Sequence, residues 1–155
     1  MKKILMGMLC IGTAGMIAAA DRHLKKKSEQ GRLRKKHPEN FGPICFRNSH
    51  NGGAFLRMGE KAPLAVMALS ALWTILCGGL LILSLGQAGN NLLRLGLTLL
   101  LGGAFSNTYD RLKNRYVTDY FSFRFGPKAF RNIVFNMADF AILTGAMLTA
   151  AGAGR

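Results

Sequence analysis

Acidic residues are scarce in this 155-residue chain, which has 7 Asp and Glu against 21 Lys and Arg and a formal net charge of +14. Charged residues of all kinds make up only 18% of the chain, compared with about 25% in an ordinary soluble domain. They are absent from residues 4–20, and residues 62–110 carry only Arg94 and Asp110. A chain of this length cannot bury such long apolar stretches in a soluble core. The sequence therefore excludes a soluble domain and a disordered basic protein, and indicates a small membrane protein.

Cysteine and histidine are equally sparse. Each occurs three times, at scattered positions (Cys10, Cys45, Cys77, His23, His37 and His50). The cysteines form no CxxC pair, which excludes a disulfide scaffold and a zinc-ribbon site. The histidines lack the i, i+4 spacing of a helical metal pair. We therefore predict no metal site.

Four apolar stretches predict four transmembrane helices, since a helix needs about 20 mostly apolar residues to cross a bilayer. They cover about 4–20, 62–86, 92–110 and 132–154. The first stretch has a second interpretation. Its preceding lysines, short apolar core and three terminal alanines are also typical of a cleavable signal peptide. With the first stretch retained, residues 1–155 form a single membrane-embedded domain.

Two polar segments, 21–61 and 111–131, would then share one side of the membrane. The first contains a basic run over 22–36 with eight Lys and Arg in fifteen residues. No aromatic residues interleave with this run, so a surface on anionic lipid headgroups is favoured over nucleic-acid binding.

Short β-structure is predicted in the same polar segments. Residues 44–50 and 54–58 flank an Asn51-Gly52-Gly53 turn signal, which indicates a hairpin. Residues 116–125 alternate in hydrophobicity as a strand does. The predicted fold class is thus an all-α membrane protein of four transmembrane helices with a small extramembrane β-hairpin or strand element.

Three acids lie in or beside the predicted spans. Asp110 ends the third span, Asp139 lies near the start of the fourth, and Asp119 lies between them. Because acids are costly in a membrane, each is a candidate functional residue. Paired carboxylates can exchange a proton with water and with a scissile carbonyl, as in an aspartic hydrolase. The alternative is structural: an Asp110–Arg111 ion pair at a helix end, and a hydrogen bond from Asp139 within the bundle.

Two asparagines and three glycines accompany these acids. Asn107 and Asn136 each precede an acid by three residues, so each shares a helix face with Asp110 or Asp139 and is expected to bond toward it or toward a ligand. The small residues of the same stretches favour close helix packing over chemistry. They are Gly102, Gly103 and Gly145.

Several blocks of the sequence resemble signal peptidase II, the lipoprotein signal peptidase family. The three most specific are GGAFSNTYDRL at 102–112, VTDYFSF at 117–123 and FNMADFAILTG at 135–145. Asp21 with Lys25 is similar to the family's D-x-x-x-K block. The segment Gly52-Gly53-Ala54-Phe55 is similar to its N-x-G-x-A-F block, with His50 where the family has Asn. The resemblance extends over nearly the whole chain.

The resemblance implies a four-helix aspartic endopeptidase that cuts prolipoproteins before the diacylglyceryl-modified cysteine, with no cofactor and with a retained first span. Its catalytic pair falls on Asp119 and Asp139, which makes Asp110 a supporting residue although the residues alone favoured it. The resemblance also implies a set of substrate-binding and supporting residues, of which Asn136 and Arg111 contact the substrate backbone. The set is Asn107, Asp110, Arg111, Asn136, His50, Gly52, Phe55, Asp21 and Lys25.

Membrane orientation is predicted differently by charge and by resemblance. The segments 22–61 and 111–131 contain 17 Lys and Arg, and the positive-inside rule places such segments in the cytoplasm. The resemblance instead implies a multi-pass protein of the bacterial cytoplasmic membrane with its active site at the outer face. We follow the resemblance, because lipid-modified precursors are presented at that face.

Two other functions fit parts of the pattern. A small proton-coupled transporter would use intramembrane acids and predicts Asp139 near the membrane midplane, far from Asp119. A catalytically silent accessory protein would keep the fold without the chemistry, and the change at His50 is its weak support. The oligomeric state is left open by the sequence.

Overall fold

In the computed structural model, the described residues are 2–31, 39–53, 59, 61–86 and 90–154. They form four long helices, one short helix and a three-stranded antiparallel sheet of order β1-β2-β3. The elements are α1 (Lys2–Glu29), β1 (Glu39–Phe41), β2 (Ile44–Asn51), α2 (Pro63–Gly86), α3 (Asn91–Asn114), β3 (Val117–Phe123), α4 (Lys128–Arg131) and α5 (Met137–Ala153). The predicted combination of a mostly helical chain with a small β element is confirmed.

Helix α3 is the centre of the bundle and packs against α1, α2 and α5. Its glycines make this possible. A Cβ on Gly102 would lie 2.9 Å from the Ala14 carbonyl oxygen, and one on Gly103 would lie 2.5 Å from the Ala138 carbonyl oxygen. From the facing helix, a Cβ on Gly145 would lie 2.6 Å from a backbone nitrogen of α3. The three glycines therefore serve close packing, as predicted.

The outward surfaces of the bundle are apolar. Ile4 and Leu9 on α1, Ile75 and Leu83 on α2, and Leu143 on α5 are each more than half exposed. Among the described helices, α1 and α2 are long and apolar enough to cross a membrane, and α5 is apolar but has 17 residues. Exposed apolar surface of this extent indicates a lipid or protein environment.

The first helix is much longer than the predicted 4–20, because it does not stop where its charges begin. Its extension buries Asp21, Lys25 and Ser28 on one face, at the i, i+4, i+7 spacing of a helix. Residues 21–29 of the predicted polar segment are therefore helical. Helix α3 likewise continues past the predicted end at 110 and stops at Arg115, whose left-handed backbone (φ 68°) caps it.

The last helix begins five residues later than the predicted start at 132. Asn136 is its N-cap and forms a capping box with Asp139, which fixes the helix start. Just before the cap, Phe135 bonds to the backbone of β3 at Phe121. Helix α4, a single turn at Lys128–Arg131, was not predicted.

The sheet contains two of the three predicted strand regions, 44–50 and 116–125, and pairs them with each other. Strand β3 falls within the predicted 116–125, and β2 pairs with it along its length. The hairpin that the structure shows is β1–β2, which turns at Gly42 with a positive φ of 57°. The predicted second strand at 54–58 lies outside the described residues, so the hairpin around Gly52 stays a prediction.

Candidate active site

Asp119 on β3 and Asp139 on α5 are brought together by one residue, Asn136. The Asn136 side chain donates to Asp119 Oδ1 at 2.6 Å, and its backbone N–H donates to Asp139 Oδ2 at 3.0 Å. Asn136 is fully buried. The same residue that starts α5 therefore sets the relative position of the two carboxyl groups. The wide separation of Asp119 and Asp139 that a transporter predicts is not found.

Asp139 is also held from α3. The Asn107 side chain donates to Asp139 Oδ1 at 3.1 Å and accepts from Lys25 Nζ at 2.8 Å. Of the two contacts open to Asn107, toward Asp110 or toward a ligand, the one to Asp110 is not found among the described residues. Helix α5 packs closely against α3. The Asn107 side chain is therefore within hydrogen-bond distance of a polar group on the neighbouring helix.

The environment of Asp119 favours its protonated form. Burial, followed by the nearby charge of Asp139, raises the pKa of Asp119 to about 7. Hydrogen bonds from Asn136 and Asn51 and the charge of Lys25 oppose this increase. One carboxyl of the pair is thus poised to hold a proton near neutral pH, which is the condition for acid–base exchange between them.

Both carboxyl groups face one cavity of about 690 Å³. Its polar lining comes from Asp119, Asp139, Asn107, Arg111 and Asn51, together with hydroxyls of α2 and α3. The rest of the lining is apolar and rich in aromatic rings, which come from Trp73, Phe123, Phe130, Phe135 and Phe140. The aliphatic lining residues are Ala104, Val117, Ile133, Val134, Ile142, Leu143 and Ala146. A large apolar chamber with a few convergent polar groups is typical of a ligand site.

Asp110 and Asp21 form a buried network around Lys25, next to the carboxyl pair. Lys25 Nζ lies 2.6 Å from Asp21 Oδ2 and 2.9 Å from Asp110 Oδ2. Ser106 and Tyr120 donate to Asp21 at 2.6 Å and 3.2 Å. The Asp110–Arg111 ion pair of the structural alternative is not found among the described residues, where Asp110 pairs with the lysine of α1. Asp110 supports the site by holding Lys25, which in turn bonds to the residue that orients Asp139.

Arg111 lines the same cavity as the two carboxyl groups. Its guanidinium donates to the Gly53 carbonyl at 2.8 Å and, more weakly, to the Asn107 carbonyl at 3.4 Å. Its buried Nε has no partner among the described residues. This N–H and the cavity position make Arg111 a candidate donor to a bound peptide carbonyl.

Residues of the predicted N-x-G-x-A-F block are only partly at the site. The His50 ring points away from the cavity and pairs with Glu29, and Gly52 is not among the described lining residues. Phe55 lies outside the described residues. Sequence reasoning missed Asn51 as a partner of Asp119, although it is next to His50 in the same block. It also missed Tyr120, whose hydroxyl links Asp21 to the Met137 backbone N–H.

Comparison with known proteins gives a consistent result. The sequence profile of the family described as "Signal peptidase (SPase) II" matches residues 13–153. A lipoprotein signal peptidase of Coxiella burnetii is 34% identical over 116 residues, which are 72% of this chain and 69% of that protein. One from Caldanaerobacter subterraneus is 38% identical over 99 residues, or 63% and 62% of the two chains. One from Moorella thermoacetica is 47% identical over 57 residues, which span 34% of that protein.

Two solved structures share the fold. Both are bacterial membrane enzymes, with TM-scores of 0.80 and 0.72 at 17% and 20% sequence identity. The alignments cover 94% of this chain in each case, and 87% and 92% of the respective solved chains. At these identities the similarity concerns the fold alone.

Proposed function

Because the chain belongs to the signal peptidase II family, we propose that it is a membrane aspartic endopeptidase with Asp119 and Asp139 as its catalytic pair. Its reaction would be the removal of signal peptides from diacylglyceryl-modified prolipoproteins, by a cut before the lipidated cysteine. The observation that carries this proposal is the position of Asn136, which bonds to both carboxyl groups at the wall of one cavity.

The chemistry follows from one proton shared by the pair. Asp119 holds that proton up to about pH 7 and donates it to the oxygen of the scissile carbonyl. Asp139, steadied by Asn107 and the backbone N–H of Asn136, takes a proton from water as the water oxygen bonds to the carbonyl carbon. The gem-diol intermediate then collapses: the C–N bond breaks, Asp139 gives its proton to the leaving amine, and Asp119 takes back a proton from one hydroxyl as the carbonyl re-forms. No cofactor is required.

The cavity suits a lipid-modified peptide. Its apolar side is lined by Phe123, Phe130, Phe135 and Phe140 beside the carboxyl groups. Acyl chains placed along such a wall gain about 0.8 kcal/mol per buried CH₂. The peptide carbonyls near the cut would accept hydrogen bonds from Arg111. The remaining supporting residues act by holding this arrangement.

We further propose that 1–155 form one domain with four membrane-crossing helices in the bacterial cytoplasmic membrane, with the site at its outer face. In this orientation, exposed cations of the protein lie near the lipid headgroups. The Arg22 guanidinium lies 4.0 Å from the Tyr109 ring centroid and donates to its hydroxyl at 2.8 Å, and Lys113 Nζ lies 5.9 Å from the same centroid. Each such cation near an anionic surface contributes about 1 kcal/mol of attraction.

Cleavage of a purified precursor in liposomes tests the function. We expect cleavage of the diacylglyceryl-modified precursor and little cleavage of the same precursor without lipid, because the buried chains are lost. Gel mobility separates the cut and uncut forms, and mass spectrometry of the new N-terminus locates the cut. Efficient cleavage of the unlipidated precursor, or no cleavage of either, would contradict the proposal.

A further inference from the structure

Glu29, the last residue of α1, joins that helix to the sheet. One carboxylate oxygen, Oε1, lies 2.7 Å from His50 Nε2 and 2.9 Å from Thr118 Oγ1. His50 and Thr118 lie directly opposite each other in the β2–β3 pairing. The His50 ring is held in place by stacking on Tyr116, with ring centroids 4.1 Å apart. A single carboxylate thus fastens both strands to α1.

The opposite face of the same two strands carries part of the active site. Thr118 and His50 are followed by Asp119 and Asn51, and consecutive residues of a strand point to opposite faces. Asp119 and Asn51 both line the cavity and bond to each other. The Glu29 link therefore holds the sheet from behind, at the point where its front face presents Asp119.

The same end of α1 supports the other carboxyl group. One turn before Glu29, Lys25 donates to Asn107, which donates to Asp139. Lys25 and Glu29 are four residues apart and lie on the same side of the helix. The end of α1 is thereby connected to Asp139 through one side chain and to the strand of Asp119 through the other.

Resting on the proposed function, we infer that Glu29 is a positioning residue, which sets the sheet relative to α1 so that Asp119 lies in register with Asp139. His50, which stands where the family has Asn, supplies one of the two hydrogen-bond contacts of Glu29 among the described residues. None of the catalytic or substrate-binding roles proposed above belongs to Glu29.

The contacts of Glu29 should affect the cleavage rate much more than the stability of the protein. The side chains of Glu29 and His50 are 38% and 48% exposed, and ion pairs this exposed to solvent contribute little to stability. A misplacement of reacting groups by about 1 Å, in contrast, costs about 100-fold in rate. Loss of the link should therefore lower kcat while leaving Tm and substrate binding nearly unchanged.

The test compares Glu29→Ala, Glu29→Gln and Gln30→Ala in the full-length protein in liposomes. We expect Glu29→Ala to lower kcat by about 10- to 100-fold with little change in KM or Tm. Glu29→Gln keeps an oxygen that accepts from Thr118 and should retain most of the activity. Gln30→Ala, a truncation of the adjacent exposed residue, should behave as the wild type. In a double-mutant cycle, His50→Ala should add little to Glu29→Ala.

Asp119→Asn, assayed in parallel, distinguishes failure of the positioning role of Glu29 from failure of the proposed function. If Asp119→Asn is inactive while Glu29→Ala cuts at the wild-type rate, the positioning role is wrong and the proposed function stands. A parallel fall of kcat and Tm in Glu29→Ala would also overturn the positioning role, since it would show a general structural effect. If Asp119→Asn itself cuts normally, the proposed function fails.

Discussion

Asn107 on α3 and Asp139 on α5 are joined by a hydrogen bond of 3.1 Å between two different helices. This bond exists because the backbones of α3 and α5 approach closely at Gly103 and Gly145. The packing of the bundle and the geometry of the carboxyl pair are therefore coupled. A change in the packing of α3 against α5 should therefore alter the geometry of the carboxyl pair.

The two carboxyl groups should act as a unit. Asp119→Asn and Asp139→Asn are each expected to abolish cleavage, and the double variant should be hardly worse than either single one, as catalytic groups that act together are non-additive. Asp110→Asn keeps a shape that can still accept from Lys25 and should leave partial activity. Accumulation of lipid-modified, uncut precursor on a gel measures all four. If Asp110→Asn is inactive while Asp119→Asn cuts normally, Asp110 and not Asp119 is the catalytic partner of Asp139.

Activity should fall on the alkaline side. The pKa of Asp119 is raised from an ordinary value of 3.8 to about 7 by burial and by Asp139, and the proposed mechanism needs its proton. We expect kcat/KM to decrease about tenfold per pH unit above this pKa. Asn51→Ala removes a hydrogen bond that favours the charged form, so its alkaline limb should move to higher pH. An unchanged alkaline limb in Asn51→Ala would show that the decrease in kcat/KM is not caused by Asp119.

The same pKa predicts a stability effect. Between about pH 4 and pH 7 the folded state binds more protons at Asp119 than the unfolded state does, so this residue makes stability decrease as pH rises through that window. Asp119→Asn removes this cost and should raise Tm at pH 8 more than at pH 4. Thermal unfolding in detergent at both pH values measures the difference. A lower Tm at pH 8 would contradict it.

The buried lysine of α1 should be essential to stability. Lys25→Met leaves the carboxylates of Asp21 and Asp110 without their shared cation. Removal of one partner from a buried ion pair costs about 3–5 kcal/mol. Lys26→Met, on the exposed side of the same helix, is the matched control and should be nearly neutral. Protein yield and Tm in detergent compare the two, and equal effects would mean that the buried network contributes nothing particular.

Helix packing can be tested with glycine substitutions. Gly103→Ala places a Cβ 2.5 Å from the Ala138 backbone and should cost about 1–3 kcal/mol, with reduced cleavage because α5 moves. Gly79→Ala meets nothing within 4 Å and should be tolerated. Tm and cleavage rate are measured for both. Wild-type behaviour of Gly103→Ala would show that the α3–α5 contact can relax freely.

Orientation is open to a direct measurement. A reporter that is active only outside the cytoplasm should be active when fused after Arg131 and inactive when fused after Gly89. The 17 Lys and Arg of the polar segments would then lie outside, against the positive-inside rule. Activity at Gly89 alone would reverse the proposed topology.

The sequence predicted the elements better than their ends and contacts. Hydropathy located the apolar core of every long helix, but it stopped at Ala20 because it cannot distinguish exposed charges from Asp21 and Lys25, which neutralise each other inside the bundle. The capping box of Asn136 has a recognisable pattern, yet hydropathy extended the last helix to 132 through residues that join the sheet instead.

Contacts between elements were the least accessible to sequence reasoning. Spacing along one helix gave Asp110 or a ligand as the partner of Asn107, whereas the structure pairs it with Asp139 across a helix interface. Such pairings depend on which faces meet, and that is decided by glycines whose partners lie far away in the sequence. Glu29, in a run of lysines, gave no signal of its link to His50 and Thr118.

The glycine contacts between α3 and α5 also constrain how a substrate arrives. Two helices in backbone contact cannot part easily, so the route to the carboxyl groups does not run between them. The cavity is bounded on its other sides by α2, at Ser70 and Trp73, and by Leu143 of α5. In the described residues, α2 and α5 both pack on α3 and have at most marginal contact with each other. Among the described residues, the side between α2 and α5 is therefore the one from which we expect a lipid-tailed peptide in the plane of the bilayer to reach the carboxyl groups.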